Sequence, residues 1–136
     1  MSQSFDHEKL RVYQDALAFA GWASELTEKL PKSLAVRGQL DRASSSTVLN
    51  IAEGNGKFTA ADRCKFLDIA RGSALECAAC LDLLVVTGHM TEPEAAPGKK
   101  KLLGVVSMLV GLIRSVSPTR VAEDAPDYQS KTEEDK

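Results

Sequence analysis

The chain has 136 residues, of which 43% are hydrophobic and 26% charged, as in an ordinary globular protein of one domain. The net charge of −2 is uneven, because residues 1–120 contain 15 Lys/Arg and 13 Asp/Glu whereas residues 121–136 contain 2 and 6. A mildly basic body leaves nucleic-acid binding open without establishing it. We therefore expect one folded domain, 1–120, and an acidic tail, 121–136, that is disordered because it contains few apolar residues.

The sequence contains no predicted export or membrane segment. The N-terminus is polar where a signal peptide would be apolar. The longest apolar stretch, 102–116, contains Arg114 and is shorter than the ~20 residues of a membrane span. We expect a cytoplasmic protein.

The first two predicted helices are bounded by proline and glycine. The first covers about 6–29 and ends before Pro31, and the second covers about 33–53. The second is predicted to end at residues 54–56, because Gly-Asn-Gly is a strong C-cap and turn sequence.

The third predicted helix begins after Thr59, which is a plausible N-cap with Asp62 three residues later, and it ends at Gly88. The fourth is centred on 102–116 and has two possible starts. Thr91 resembles a capping residue, but Pro97-Gly98 would interrupt the following turns, so the helix begins near Thr91 with a kink or after Gly98. Strand-like alternation is absent.

Apolar periodicity predicts a bundle that self-associates. The first helix has a coiled-coil-like seam: Val12, Ala16, Phe19, Ala23, Leu26 and Leu30. The fourth helix has apolar side chains in nearly every direction, interrupted only by the small residues Gly104, Ser107 and Gly111. A helix apolar all round must be buried all round. We expect a partner copy to cover it, and Trp22, near the polar side of the first helix, gives weak support.

Several motifs resemble those of one known family. Residues 39–46 (QLDRASSS) and 50–54 (NIAEG) are similar to its second-helix signature, and 66–76 (FLDIARGSALE) is similar to its third. The segment around LRVYQ at 10–14 resembles its opening. The family is that of four-helix proteins encoded by intervening sequences in 23S rRNA genes, to which the accessory variability determinants of diversity-generating retroelements are related. The resemblance covers about 5–116.

This resemblance implies an all-α, antiparallel up-down four-helix bundle that assembles into a homo-oligomeric ring, a pentamer. It also implies that the protein has no enzyme activity and no cofactor. The retroelement relatives bind a reverse transcriptase and its RNA, so RNA or a reverse transcriptase is an expected partner.

Polar residues of the two central motifs are predicted to form a structural network. With a turn centred near Gly56, Arg63 is expected near the level of Asn50, and Glu76 near Arg37. We expect Glu76 to accept hydrogen bonds from Arg37 or Arg42, and Glu53 to brace the turn. Fixing the bundle's register is favoured over a ligand site. The predicted network comprises Arg37, Arg42, Asn50, Glu53, Ser73 and Glu76.

No catalytic or metal site is predicted. The serines at 44–46 lack a histidine within reach by sequence, which favours close packing over nucleophilic chemistry. Cys77 and Cys80 form a CxxC pair deep in a helix, where cysteines behave as small hydrophobes, rather than at the helix start that redox motifs use. No Glu-x-x-His pair is present for a di-iron site.

Two basic groups are candidate nucleic-acid contacts: Lys99, Lys100 and Lys101, and, near the second turn, Lys57, Arg63 and Lys65. A charge run is more often a solvated face than a binding patch. We expect no aromatic residue to lie among either group, so base stacking is not indicated. Any binding is expected to be to the nucleic-acid backbone and to depend strongly on salt.

Three functions remain open. The first is a non-enzymatic oligomeric scaffold that binds RNA or a nucleic-acid-processing partner through basic surfaces. The second is a protein–protein adaptor without nucleic-acid binding, contacting its partner around Trp22. The third, which the sequence favours least, is a redox or small-molecule role for Cys77 and Cys80.

Overall fold

The structure is a computed structural model that describes residues 3–116, and within them every regular element is helical. A short 3₁₀ helix, Asp6–Lys9, precedes four α-helices: α1 (Arg11–Glu28), α2 (Ala35–Gly56), α3 (Ala60–Val86) and α4 (Glu92–Val116). The all-α prediction with four helices is confirmed. The predicted tail 121–136 and Pro118 lie outside the described residues.

The end of α2 differs from its prediction. The helix continues through the Gly-Asn-Gly sequence to Gly56, three residues beyond Glu53. Gly54 does not cap the helix but allows a close approach, because a Cβ there would lie 3.2 Å from side-chain atoms of Phe66 and Leu67. The contact with α3 therefore outweighs the low helix propensity of glycine.

The two ends of α3 match their predictions. The Thr59 side chain accepts a hydrogen bond of 3.1 Å from the backbone N–H of Asp62, which caps the N-terminus. After Thr87, Gly88 adopts a left-handed conformation with φ of 80°, which an L side chain rarely adopts. Both signals are local, so the sequence shows them directly.

The fourth helix begins at the earlier of its two possible starts. The side chain of Glu94 accepts the Thr91 N–H at 2.7 Å, and the Glu94 N–H donates to Thr91 Oγ1 at 3.3 Å. These reciprocal bonds form a capping box. Pro97 lies inside the helix, in its second turn, and does not delay the start.

Gly98 lies directly against Trp22 of α1. The indole ring occupies the space that a Cβ on Gly98 would need. Trp22 is half-buried and also packs on Phe19, with ring centroids 5.6 Å apart. Trp22 is therefore packed between α1 and α4, and the expectation that it contacts a partner protein is not supported.

The core is one apolar cluster to which all four helices contribute. Its largest fully buried side chains include Phe19 from α1, Leu40 and Ile51 from α2, Leu81 from α3 and Leu109 from α4. Each α-helix packs against its neighbours along the chain, and α1 also packs against α4.

The expectation that α4 exposes a large apolar surface is wrong. Its large apolar residues Leu102, Val105, Val106, Leu109, Val110 and Ile113 are buried, and Met108, Leu112 and Val116 are half-buried against the core. Only Leu103, at 38%, is a large exposed hydrophobic residue of α4. Contact with both α1 and α3 covers a wide arc of the helix, and Gly111 and Ser115 occupy much of the remaining surface.

Candidate nucleic-acid interface

The connection between α2 and α3, residues 57–59, is short and held at both ends. On one side the Lys57 N–H donates to the Gly54 carbonyl at 3.3 Å. On the other side the Thr59 cap fixes the first turn of α3. The residue between them, Phe58, is therefore presented from a backbone whose two flanks are hydrogen-bonded.

Three predicted basic residues come together around this connection. The ammonium groups of Lys57 and Lys65 lie 4.7 and 5.9 Å from the centroid of the Phe66 ring, at cation–π distances. Arg63 donates from Nη2 to the Asn55 carbonyl at 3.3 Å. The predicted group of Lys57, Arg63 and Lys65 is thus one surface in the folded chain, and we call these three residues the basic cluster.

Aromatic rings interleave with the basic cluster, contrary to the expectation from the sequence. Phe66 lies between the two lysines, and the Phe58 side chain is fully exposed, at 103% of its reference area. Phe5 is 73% exposed, and it lines the same shallow recess as Phe58, Lys57 and Arg63. The expectation that no aromatic residue interleaves with this group is therefore wrong.

The recess also contains polar groups that can accept or donate hydrogen bonds. Asn55 donates from Nδ2 to Asp6 Oδ2 at 3.3 Å, which joins the N-terminal 3₁₀ helix to the end of α2. The ring of His7 stacks on Phe5, with centroids 5.7 Å apart and an angle of 10°. Cations, exposed rings and a carboxylate therefore share one surface.

The lysine run at 99–101 does not form a comparable surface. Lys99 is paired with Asp82 of α3, with 2.6 Å between Nζ and Oδ1. All three lysines lie in α4, where successive side chains point about 100° apart, so the run spreads around the helix. Lys100 and Lys101 are exposed.

Two members of the predicted polar network do meet, through a residue outside it. Ser46 of α2 and Ser73 of α3 share a hydrogen bond of 2.8 Å. Asn50 donates from Nδ2 to the Ser46 carbonyl at 2.8 Å and to Ser46 Oγ at 3.0 Å. This half-buried contact supports a role for Asn50 and Ser73 in helix register.

The acidic and arginine members of that network are not brought together. Glu53 and Glu76 are exposed, and within residues 3–116 neither forms an ion pair with Arg37 or Arg42. The guanidinium of Arg42 instead lies along its own helix, 3.2 Å from where a Cβ of Gly38 would be.

The alignment of α2 with α3 differs from the prediction because α2 is longer than predicted. Because α2 continues to Gly56, the turn lies near Phe58, and Arg63 contacts Asn55 rather than reaching the level of Asn50.

Two of the three serines at 44–46 form hydrogen bonds within α2. Ser44 and Ser45 donate to the Asp41 carbonyl at 3.0 and 3.1 Å, which is the usual bonding of serine inside a helix.

The two cysteines of the CxxC pair are buried in α3. Burial, reinforced by Cys80, raises the pKa of the Cys77 thiol to about 12, against the opposing hydrogen bond with Thr47. Burial, followed by the charge of Glu76, raises the pKa of Cys80 as well. A thiol nucleophile needs a lowered pKa and access, and this pair has neither.

Residues 3–116 contain no group of three or more His, Cys, Asp or Glu side chains placed to hold a metal ion. None of their helices combines the length and apolarity needed to cross a bilayer.

Sequence reasoning missed the aromatic half of the surface. Lys57-Phe58 and Lys65-Phe66 are adjacent pairs eight residues apart, and this repeated Lys-Phe spacing is the signal that could have found it. The contribution of Phe5 and Asp6 depends on how the N-terminal 3₁₀ helix packs against α2, which no local pattern shows.

Comparison with known proteins gives a family and a fold. The sequence model described as "23S rRNA-intervening sequence protein" matches residues 8–111. A crystal structure of a protein of unknown function, from the S23 ribosomal protein family of Bacteroides thetaiotaomicron, is similar with a TM-score of 0.72. The two chains are 24% identical, and the alignment covers 76% of this chain and 98% of that one, which establishes the fold alone. No curated protein matches the sequence.

Proposed function

Because the chain belongs to the 23S rRNA-intervening sequence protein family, we propose that it is a non-enzymatic, homo-oligomeric scaffold that binds RNA in the cytoplasm. RNA, alone or as part of a complex with a nucleic-acid-processing partner, is bound at the basic cluster. The observation that carries this proposal is the convergence of Lys57, Arg63 and Lys65 around the α2–α3 connection.

The distribution of ion pairs in the described residues supports this assignment. Within residues 3–116 the ion pairs join Arg11 to Asp15, Arg71 to Asp68 and Lys99 to Asp82. The basic cluster has no carboxylate within ion-pair distance in the same range, so its cations are available to phosphates. Phosphate neutralisation supplies most of the affinity of sequence-independent nucleic-acid binding.

The proposed architecture is an antiparallel up-down bundle. Ser46 lies at Ser73 while the later residue Gly54 lies at the earlier Phe66. The same reversal relates α3 and α4, where Cys64 Sγ is 4.0 Å from the Ile113 carbonyl and Asp82 pairs with Lys99.

The proposed oligomer, a pentameric ring, places its contact on α3 rather than on α4. Ile69, Leu75, Leu83 and Val86 lie on the outward side of α3 and are 42, 39, 49 and 82% exposed. They extend over about 25 Å of helix at 1.5 Å per residue. Exposed apolar side chains along one side of a helix are candidate protein contacts, and a ring brings them against a different surface of the next copy.

Light scattering of two variants with equal charge change tests the oligomer. Leu83→Lys is expected to shift the protein towards the monomer, because it puts a charge in the proposed contact. Gln39→Lys, on an exposed site of α2, is expected to leave the oligomer intact. A wild-type chain that stays monomeric at high protein concentration would remove the ring from the proposal.

RNA binding is tested by fluorescence anisotropy over a salt series with two charge-matched double variants. Lys57→Glu/Lys65→Glu is expected to weaken binding at least tenfold and to make the slope of log K against log salt shallower by about 1.4, since each contact to single-stranded phosphate contributes about 0.7. Lys100→Glu/Lys101→Glu, which changes the charge equally, is expected to weaken binding less than threefold.

Two other results of this experiment have definite meanings. Equal losses in both double variants would show that net charge, and not the basic cluster, drives binding. Absence of RNA binding by the wild-type chain at low salt would leave the protein–protein adaptor, with the α3 surface as its contact.

A further inference from the structure

Phe58 is an aromatic residue that folding does not explain. Burial of a phenylalanine side chain contributes about 1.5–3 kcal/mol to stability, and a side chain that is fully exposed contributes none of it. Its neighbours on both sides are hydrogen-bonded, so the ring projects from an ordered connection. An exposed ring held beside cations is therefore a candidate ligand contact.

The surroundings of Phe58 identify the chemistry of that ligand. Lys57 and Arg63 line the recess beside the ring, and Lys65 flanks Phe66 one turn into α3. Phe5 presents a second exposed ring on the same recess. A ligand that matches this surface has flat apolar faces and closely spaced negative charges, which are the two properties of a nucleotide chain.

Single-stranded nucleic acid fits better than the two other ligands of this general type. Bases in a duplex are stacked on one another, whereas unpaired bases can be stacked on protein rings. An anionic membrane would attract the cations and be repelled by Asp6 just as RNA phosphates would, so charge alone does not separate these two ligands. The Asp6 carboxylate and the Asn55 amide can instead pair with the donor and acceptor groups on the edge of a base.

We propose that the α2–α3 connection binds single-stranded RNA, with an unpaired base stacked on Phe58 and the adjoining phosphates on Lys57, Arg63 and Lys65. This inference rests on the proposed RNA-binding function and specifies the strand state and the contact that RNA makes. Phe5, which lines the same recess, provides a second stacking surface.

The test compares wild type, Phe58→Ala, Phe58→Leu and Phe58→Tyr with a single-stranded RNA and a blunt duplex of the same length. Loss of one stacked base is expected to weaken single-strand binding about 5- to 160-fold in the Ala and Leu variants. Phe58→Tyr, which keeps the ring, is expected to bind within about twofold of wild type. The salt dependence is expected to stay unchanged in all three, because no phosphate contact is removed.

The matched control is Leu17→Ala, which removes another exposed apolar side chain, at 46% exposure on α1, far from the basic cluster in the sequence and outside the proposed α3 contact. It is expected to leave RNA binding unchanged. Leucine is the critical variant, since an apolar protein pocket would accept it and a base would not. The duplex is expected to bind more weakly than the single strand.

The outcomes separate this inference from the proposed function. If RNA binds and responds to Lys57→Glu/Lys65→Glu but not to Phe58→Ala, or if the duplex binds as tightly as the single strand, the stacking site is overturned and the RNA scaffold stands. If vesicles containing phosphatidylserine bind through Phe58 and RNA does not bind at all, both are overturned.

Discussion

Trp22 and Phe58 lie in opposite environments in the same small protein. The Trp22 ring is packed between α1 and α4, in a space that exists because residue 98 is glycine. The Phe58 ring is fully exposed. From the sequence, Trp22 was expected at a partner contact, and Phe58 was not singled out.

The difference shows where each side chain acts. The tryptophan contributes to folding through its contact with a complementary surface on another helix. The phenylalanine has no such surface within residues 3–116, so its contribution is expected in a complex. Substitutions at and around the two rings should therefore separate stability from binding.

The largest expected effect is on stability, at the Trp22 contact. Gly98→Ala places a methyl group in the space of the indole ring, and overpacking of this kind typically costs about 1–3 kcal/mol. Urea denaturation followed by circular dichroism measures the loss as a lower midpoint with an unchanged slope.

The control for this substitution lies in the same helix. Nothing lies within 4 Å of a Cβ on Gly104, so Gly104→Ala should stabilise by about 0.5–1 kcal/mol through helix propensity alone. The cost of Gly98→Ala should shrink in a Trp22→Leu background, because the two residues are in direct contact. A Gly98→Ala chain as stable as Gly104→Ala would contradict the packed state of Trp22.

The glycine and proline positions show how far the sequence determines this fold. Thr59 and Gly88 act locally, through a cap and a positive φ, and both were read correctly. Gly54 and Gly98 are followed by uninterrupted helix because their missing side chains make room for Phe66 and Trp22. Such a role depends on a residue distant in the sequence, so no local pattern distinguishes it from a helix stop.

The candidate site likewise has a part that local sequence predicts and a part that depends on how two helices align. The basic cluster was predicted from the sequence because its residues lie within nine positions of one another around a turn. The network that included Glu76 failed because α2 is longer than predicted, and this moved its contacts with α3 by nearly two helical turns. An error in one boundary is carried into every cross-helix pairing that is counted from it.

An intermediate effect on stability is expected at Thr59, which follows Phe58 in the chain. Thr59→Ala removes the oxygen that accepts the Asp62 N–H at the start of α3, and losing such a cap costs about 0.5–2 kcal/mol. Thermal unfolding should show the loss, and Thr59→Ser, which keeps the oxygen, should restore most of it. Equal stability of Thr59→Ala and wild type would show that the connection is not held by its cap.

The smallest expected effect on stability is at Phe58 itself. Phe58→Ala removes no buried area, so the free energy of unfolding should stay within about 0.5 kcal/mol of wild type in urea denaturation. This near-zero result makes the binding comparison interpretable, since a loss of RNA affinity could not then be attributed to unfolding. A loss above about 1.5 kcal/mol would mean that Phe58 is buried in the folded protein, in the monomer or between copies. Repeating the measurement across protein concentrations separates these two cases, because only a ring buried between copies makes its contribution depend on concentration.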